Sequence, residues 1–421
     1  MTTASAPVDE RRLQRDLDAI AAFTEPGTEG WTRRVFRPAF AESRSFVADA
    51  MADAGLDVSL DGAGNIIGVL PGLDAAAPRL VSGSHTDTVA GGGRFDGILG
   101  VLGAIEVVRS LRDQGHRLTR DLYVVDFLGE EPNEFGLSCV GSRAIAGTLT
   151  AEHLELRDPS GRRLADAFAD SGHDPATIAA ARWTDPALAF VELHIEQGPV
   201  LEAMGKEIGV VDIIAGITRF LATFRGRPDH SGTMPMHLRR DAASAAAESQ
   251  LALESLAGDG GGVATTGRID LWPGSMNVVP AVARMWGELR SPDAGWLEGH
   301  RRGFADAVRG IGERRQVGAE LDWLSATNPT PCTADLQIAI EQASATLGID
   351  TMRLPSGAGH DAVQMAHIAP TAMVFVPSKD GRSHVPEEYT SPAECARGAH
   401  VLMQTLIELD RAAAGEGEDG R

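Results

Sequence analysis

Cysteine is scarce in this chain: Cys139, Cys332 and Cys395 are the only three among 421 residues. An odd, widely spaced trio makes a disulfide framework a poor expectation and fits a reducing compartment. Cys139 has no base arranged near it in sequence, so a buried thiol is expected there rather than a nucleophile. Long apolar runs are missing too, since none approaches the roughly 18 residues that a membrane span needs. The opening MTTASAPVDERRLQRDL lacks the basic-then-apolar order of a secretory leader, so a cytoplasmic protein is expected. Positive charge is in deficit, with 38 Lys and Arg against 59 Asp and Glu for a net charge of −21. That balance argues against nucleic acid or an anionic membrane as partner. The glycine triplet Gly91, Gly92 and Gly93 fits neither a GxGxxG fingerprint nor a phosphate-binding loop. It reads as a turn, and no nucleotide cofactor is expected.

The length exceeds one ordinary domain, and 43% hydrophobic residues can fill two sizeable cores. Short apolar runs alternate with longer helical patterns, which is the mark of an α/β sheet. Core strands are expected at 79–84, 121–128, 187–193 and 371–376. A helix is expected over 97–114, with Ile98, Leu99, Leu102, Ile105, Val108 and Leu111 on one apolar stripe. The pattern changes near Ile213. It then reads strand (218–225), helix (235–256), strand (262–270), strand (281–289), helix (293–315) and strand (318–324), a βαββαβ, ferredoxin-like α+β order. The expected organisation is a catalytic α/β domain in two parts, 1–212 and 329–421, with an inserted domain at 213–328. The second part would end in a helix, and the tail AAAGEGEDGR would be frayed.

Five metal-competent side chains lie in five glycine- or proline-punctuated segments. They are His85 in GSHTDT, Asp96 in GGRFDGILG, Glu131 in LGEEPNEFG, His194 in ELHIEQG and His384 in GRSHVPEE. A carboxylate such as Asp96 can hold two divalent ions at once, while imidazoles and a second carboxylate complete the shells and leave room for water. Glu130, next to Glu131, is placed to move the proton of that water. His85 and Asp87 have the H-x-D spacing in which the carboxylate takes the second imidazole proton, although Asp87 also reads as an ordinary turn residue. Each signal is weak alone, because a single histidine near a strand end is more often structural. The runs at 79–84, 121–128 and 187–193 place His85, the Glu130–Glu131 pair and His194 just past strand ends, where open α/β sheets build their sites. The helix expected after Asp96 would aim its N-terminal amides at this acidic region. Donors without thiolate suit Zn²⁺, Mn²⁺, Co²⁺ or Ni²⁺.

With these motifs in hand, the chain resembles the amidase/hydantoinase/carbamoylase branch of the M20 metallopeptidase clan over roughly residues 19–408. That branch includes N-carbamoyl-L-amino acid hydrolases, allantoate amidohydrolases and 3-ureidopropionases. His194 followed by Ile195, Glu196 and Gln197 favours this branch, since peptidase-type relatives usually carry a carboxylate there. The resemblance implies two divalent ions per subunit, with Zn²⁺ first among the candidates. One would lie on His85, Asp96 and His194 and the other on Asp96, Glu131 and His384, with Glu130 as general base.

The resemblance also bears on the inserted domain, which it makes a lid and a homodimerisation surface. Taken alone, His230 (DHSGTMP) and Asn277 (GSMNVVP) read as turn residues and Arg290 (GELRSP) as a solvated strand end. The resemblance makes them substrate-binding, together with Gln197, Gly359 and His360 (GAGHDA), and part of that grip would come from a partner subunit. Arg290 would fork onto a substrate carboxylate, and His230 would help stabilise an oxyanion.

Two departures stand out. Pro132, Asn133 and Glu134 precede Phe135 where many relatives have a glycine, a small residue and arginine before the phenylalanine, and Asp229 stands where alanine is usual. The expected reaction is hydrolysis of the carbamoyl C–N bond of an N-carbamoyl-L-amino acid to the amino acid, carbon dioxide and ammonia. Allantoate, 3-ureidopropionate or an N-acyl amino acid are alternative substrates. A non-catalytic metal-binding homologue is an alternative of another class, and it would have no need of Glu130.

Overall fold

The apolar runs become strands buried on both faces. All six residues of Thr371–Val376 are buried, as the uninterrupted sequence TAMVFV requires of a strand between layers. In chain order the strands are β1 (Asp57–Leu60), β2 (Ile66–Leu70), β3 (Arg79–His85), β4 (Leu122–Phe127), β5 (Ala187–Ile195), β6 (Ile208–Ile214), β7 (Gly216–Arg225), β8 (Val263–Trp272), β9 (Val282–Ser291), β10 (Gly318–Ala326), β11 (Thr330–Pro331), β12 (Thr351–Ser356) and β13 (Thr371–Val376). The computed structural model describes residues 4–418. Its contacts divide the chain into two compact units: Met1–Asp212 with Cys332–Leu354 and His360–Arg421, and Ile213–Pro331 with Pro355–Gly359.

The first unit is mixed α/β, with a sheet ordered β1-β2-β4-β3-β5-β13-β6. β3 is parallel to β4 and β5, and β5 is parallel to β13, so the C-terminal ends of these four strands open on one edge. Helix α1 (Glu10–Ile20), helix α2 (Pro38–Ala54), helix α3 (Ile98–Asp113) and the helix Pro392–Glu418 share one apolar core with the sheet. The single stripe expected on α3 is too narrow a description. From Ile98 to Leu111 only Arg109 escapes burial. Small residues allow this, since a Cβ on Gly100 would lie 2.4 Å from Leu193 O. Its one buried acid, Glu106, is satisfied by Arg12, Ser110 and the Asp9 amide. The tail expected to fray stays helical through Glu418, because Ala412, Ala413 and Ala414 carry high helix propensity. Its last three residues, Asp419, Gly420 and Arg421, lie outside the described residues.

The second unit runs strand, helix (Ala242–Leu256), strand, strand, helix (Ala294–Arg315), strand. Its four long strands are antiparallel in the order β10-β7-β9-β8. Phe220, Ala222 and Phe224 alternate onto the buried face of β7 and meet Ala245, Leu253, Phe304 and Val308 from the two helices. The first helix begins at Ala242 rather than at 235. Asp241 caps it by accepting from the Ala243 and Ser244 amides, and a short 3-10 turn, Met236–Leu238, precedes it.

Candidate metal and catalytic site

His85 closes β3 opposite Phe127 of β4, so the two following loops start side by side. Asp87 joins them. Its two carboxylate oxygens accept the Glu130 and Glu131 amides at 3.1 and 3.2 Å, and Oδ1 lies 3.4 Å from His85 Nδ1. His194 is not past the end of its strand but inside β5, opposite Phe375 of β13, because the apolar pairing continues to Ile195. His194 Nδ1 lies 2.8 Å from Ile195 O, and His85 Nδ1 lies 3.1 Å from Asp87 O. A carbonyl can only accept, so in each neutral ring Nδ1 carries the proton and Nε2 presents a lone pair. The Gly97 amide, which donates to His194 Nε2 at 3.1 Å, requires the same tautomer.

Asp96 stands opposite these nitrogens. Its Oδ1 is 3.7 Å from His85 Nε2 and 3.2 Å from His194 Nε2, while Oδ2 is 3.1 Å from His384 Nε2. His384 Nε2 is also 3.4 Å from Glu131 Oε1. Two donor groups therefore share Asp96: His85, Asp96 and His194, and Asp96, Glu131 and His384, with ligand atoms within 4.8 Å in each. One carboxylate whose two oxygens address separate groups is the arrangement that bridges a pair of cations. Imidazole nitrogen and carboxylate oxygen without thiolate are the donors of divalent transition metals, so the residues present fit such an ion.

Asp96 is itself held in place. Glu388 Oε1 accepts the Phe95 and Asp96 amides at 2.8 and 3.1 Å, and Ser383 Oγ lies between Asp96 Oδ2 and Glu388 Oε2. Gln197 donates to Asp96 Oδ2 at 2.6 Å. Gln197 and His384 both have positive φ, 59° and 60°, a strain that clusters at functional sites. Gly97 has φ of 70°, and a Cβ there would lie 2.3 Å from His85 Nε2.

Burial raises the Glu130 carboxyl above its ordinary range against the pull of His85. Burial also raises Glu131 well above that range, and Asp96 adds to it. Asp96 goes the other way: burial opposes it, but His194 and His384 outweigh that and hold it well below the usual value. Burial lowers His384, yet Asp96 and Glu131 lift it to about 9. Glu130 Oε2 is 3.7 Å from His85 Nε2, and Cys139 Sγ donates to Glu130 Oε1 at 3.3 Å. A buried carboxyl lifted toward neutrality beside the donor groups suits a proton carrier.

His360 is buried with its ring 4.6 Å from that of His194. Glu192, without a sign in the sequence beyond its place two residues before His194, accepts Ser84 Oγ at 2.7 Å and the Ala362 amide at 3.1 Å. Ser383, Glu388 and Cys139 also touch the site. Only Ser383 and Glu388 carried a cue, their closeness to His384.

The remaining residues singled out in the sequence lie in the second unit. His230 bridges to Val278, Ser231 donates to Asn277 O at 3.1 Å, and the Gly232 amide bonds His230 Nδ1 at 3.0 Å. Arg290 does not have a free fork: Glu288 Oε1 takes its Nε at 2.7 Å and Gly357 O takes Nη1 at 3.2 Å. Gly359 sits with Ile217 Cδ1 3.6 Å from where a Cβ would be. In the first unit, Glu134 of the altered segment pairs with Arg34 and Arg37, so the acid at an arginine position has cations of its own.

Residues 81–408 match the peptidase family M20/M25/M40. The chain belongs to this family. It is 39% identical to an N-carbamoyl-L-amino acid amidohydrolase of Geobacillus stearothermophilus over 95% of this chain and 98% of that protein. It is 34% identical to a ureidoglycolate hydrolase of Arabidopsis thaliana over 96% and 88% of the two chains. Its fold matches the crystal structure of an amidase of the hydantoinase/carbamoylase family from Burkholderia vietnamiensis, with TM-score 0.89 and 33% identity over 97% and 99% of the chains. This M20 chain is thus a hydrolase of C–N bonds in the hydantoinase/carbamoylase branch.

Proposed function

We propose that this hydrolase uses two divalent ions, Zn²⁺ or a similar transition metal, to cleave the carbamoyl C–N bond of N-carbamoyl-L-amino acids. The observation that carries the reading is Asp96, whose two oxygens address separate imidazole-containing groups while Glu130 stands beside them. When bound, the ions would polarise the ureido carbonyl and ease deprotonation of water. His85, Asp96 and His194 would hold one, and Asp96, Glu131 and His384 the other. Glu130 takes the proton of the attacking water and delivers it to the leaving nitrogen, a cycle its raised carboxyl favours. Asp87 fixes the Glu130 backbone and the His85 ring through the contacts described above. The freed carbamate breaks down to carbon dioxide and ammonia.

In this reading the second unit is a ferredoxin-like lid and the homodimer surface. Arg290 exchanges Glu288 for the substrate carboxylate, and His230, Asn277, Gln197, Gly359 and His360 bind polar groups of the substrate, His230 at the oxyanion. Outer strand β8 supports the dimer, since Val263, Ile269, Leu271 and Trp272 are exposed along an edge that invites pairing. Three buried free cysteines fit a cytoplasmic setting. Among the described residues no helix is long and apolar enough to cross a membrane.

Ammonia release tests the function. Metal-loaded protein is given N-carbamoyl-L-amino acids, allantoate, ureidoglycolate and 3-ureidopropionate, with and without chelator, and N-acetyl amino acids are followed by an amine assay. Chelator-sensitive release from N-carbamoyl-L-amino acids is expected. Release confined to another substrate would reassign the specificity, and silence throughout would refute the ureido-substrate reading in favour of an unusual amide or a non-catalytic homologue.

A further inference from the structure

Arg33 is the largest side chain with no exposed surface, and it lies behind the turn that carries Asp87. Its backbone is paired with that turn: the Arg33 amide donates to Thr88 Oγ1 at 2.8 Å, and the Thr88 amide donates to Arg33 O at 3.0 Å. The guanidinium then reaches three carbonyls on two segments, the 86–88 turn and the end of helix α1. Nε donates to Thr86 O at 3.1 Å, and Nη1 donates to Phe23 O at 3.1 Å and Ile20 O at 3.4 Å. Among the described residues Nη2 has no partner.

A buried cation of this kind is costly to desolvate, and an apolar side chain of similar volume would pack without that cost. Burial pushes the guanidinium down to about 10, against the pull of Asp87 and Asp126, which leaves it charged at neutral pH. Asp126 already has Arg44 at 3.0 Å and the Thr86 hydroxyl. Asp87 has no arginine or lysine partner among the described residues, and it shares its surroundings with the buried acids Asp96, Glu130 and Glu131. Arg33 is a buried positive charge that acts on Asp87 and Asp126.

We propose that Arg33 is a positioning residue for the metal centre: its buried charge and carbonyl bonds hold the 86–88 turn so that Asp87 presents His85 and the Glu130–Glu131 pair, thereby setting metal affinity. This rests on the reading of His85, Asp96 and His194 as metal ligands.

The test is the Zn²⁺ dissociation constant of the full chain, by competition with a chromophoric chelator, alongside the thermal unfolding of the metal-free protein. Arg33→Met is expected to weaken Zn²⁺ binding at least tenfold, the size of effect seen when groups supporting metal ligands are removed. Arg33→Lys keeps the charge, but its single ammonium cannot span Thr86 O on one side and the Ile20 and Phe23 carbonyls on the other as the guanidinium does, so it should fall between wild type and Arg33→Met. A merely structural arginine would lower the melting temperatures and leave affinity unchanged below them. Affinity within twofold of wild type in folded Arg33→Met overturns the proposal. If that variant does not fold, Arg33→Lys decides, and wild-type affinity there overturns it. Absence of Zn²⁺ binding by the wild-type chain would instead defeat the metal reading beneath it.

Discussion

Metal uptake by the apo protein should release protons in a countable way. His384 is lifted to about 9, so at pH 7 about 99% of its imidazole carries a proton. An imidazole must lose that proton to become a ligand. The loss opposes binding at pH 7, although solvent at the half-exposed ring screens part of it. Affinity at the His384 group should therefore rise about tenfold per pH unit between 6.5 and 8 and flatten near 9. His85 adds a second proton: burial lowers it, but Asp87 and Glu130 hold it well above the usual histidine value. Titration calorimetry at pH 7 in buffers of different ionisation enthalpy reads the count directly. At least two protons per subunit are expected, and His384→Asn should remove one of them. Binding that releases less than about half a proton, with affinity independent of pH, would refute the assignment of these imidazoles.

The same groups predict how apo stability varies with pH. His384 is raised from 6.5 to about 9, so its stabilisation is complete below 6.5 and lost as pH rises through about 9. The raised Glu130 and Glu131 carboxyls act in the same direction above their unfolded value of 4.5. The melting temperature of apo protein should fall from pH 6.5 to 9, and metal should flatten the profile; a profile rising over that range would contradict the raised His384, Glu130 and Glu131. Glu130→Gln should lower kcat by about 10²- to 10⁴-fold with metal affinity within a few-fold of wild type, and a fully active variant would remove Glu130 from its role. Gly97→Ala puts a Cβ 2.3 Å from His85 Nε2 at φ of 70°. It should weaken metal binding and lower the apo melting temperature, and an unperturbed variant would show that the 96–97 turn is not fixed against His85.

What could be read from sequence depended on whether a feature is local. The runs at 79–84 and 371–376 survive as β3 and β13 because parallel strands covered on both faces are uninterrupted apolar segments. Ligand candidates stood out because glycine and proline punctuate the loops that leave those strands. His194 was harder to place, since Ile195 continues the apolar pattern and keeps it inside β5. The start of the helix Ala242–Leu256 turned on one capping aspartate rather than on the proline at 235. Glu388 illustrates what sequence does not show: it bonds the Phe95 and Asp96 amides from almost 300 residues away, 293 and 292 in sequence. Arg33 likewise acts on a turn 53 residues further on. Cys139 reads as an ordinary buried thiol, which it is, but its contact with Glu130 exists only once the 130–139 loop closes, where the Cys139 amide bonds Glu130 O at 2.8 Å.

These distant contacts concentrate acid in one place. Glu130, Glu131, Glu192, Asp361 and Glu388 are all buried in the first unit, and burial raises the carboxyl of each. Hydrogen bonds, such as those of Ser84 and the Ala362 amide to Glu192 or of Ser142 to Asp361, do not reverse that direction. A chain that buried so many acids for packing alone would be better served by apolar side chains of the same size. Protons on carboxyls and imidazoles compensate the metal-free site, and divalent cations can replace them with more charge in less space. Stability, metal affinity and proton transfer then share a single electrostatic cause, so Arg33→Met and His384→Asn should each move apo melting and metal affinity. The two variants differ in proton count: removing His384 takes a releasable proton away, whereas Arg33 remains charged throughout and contributes none.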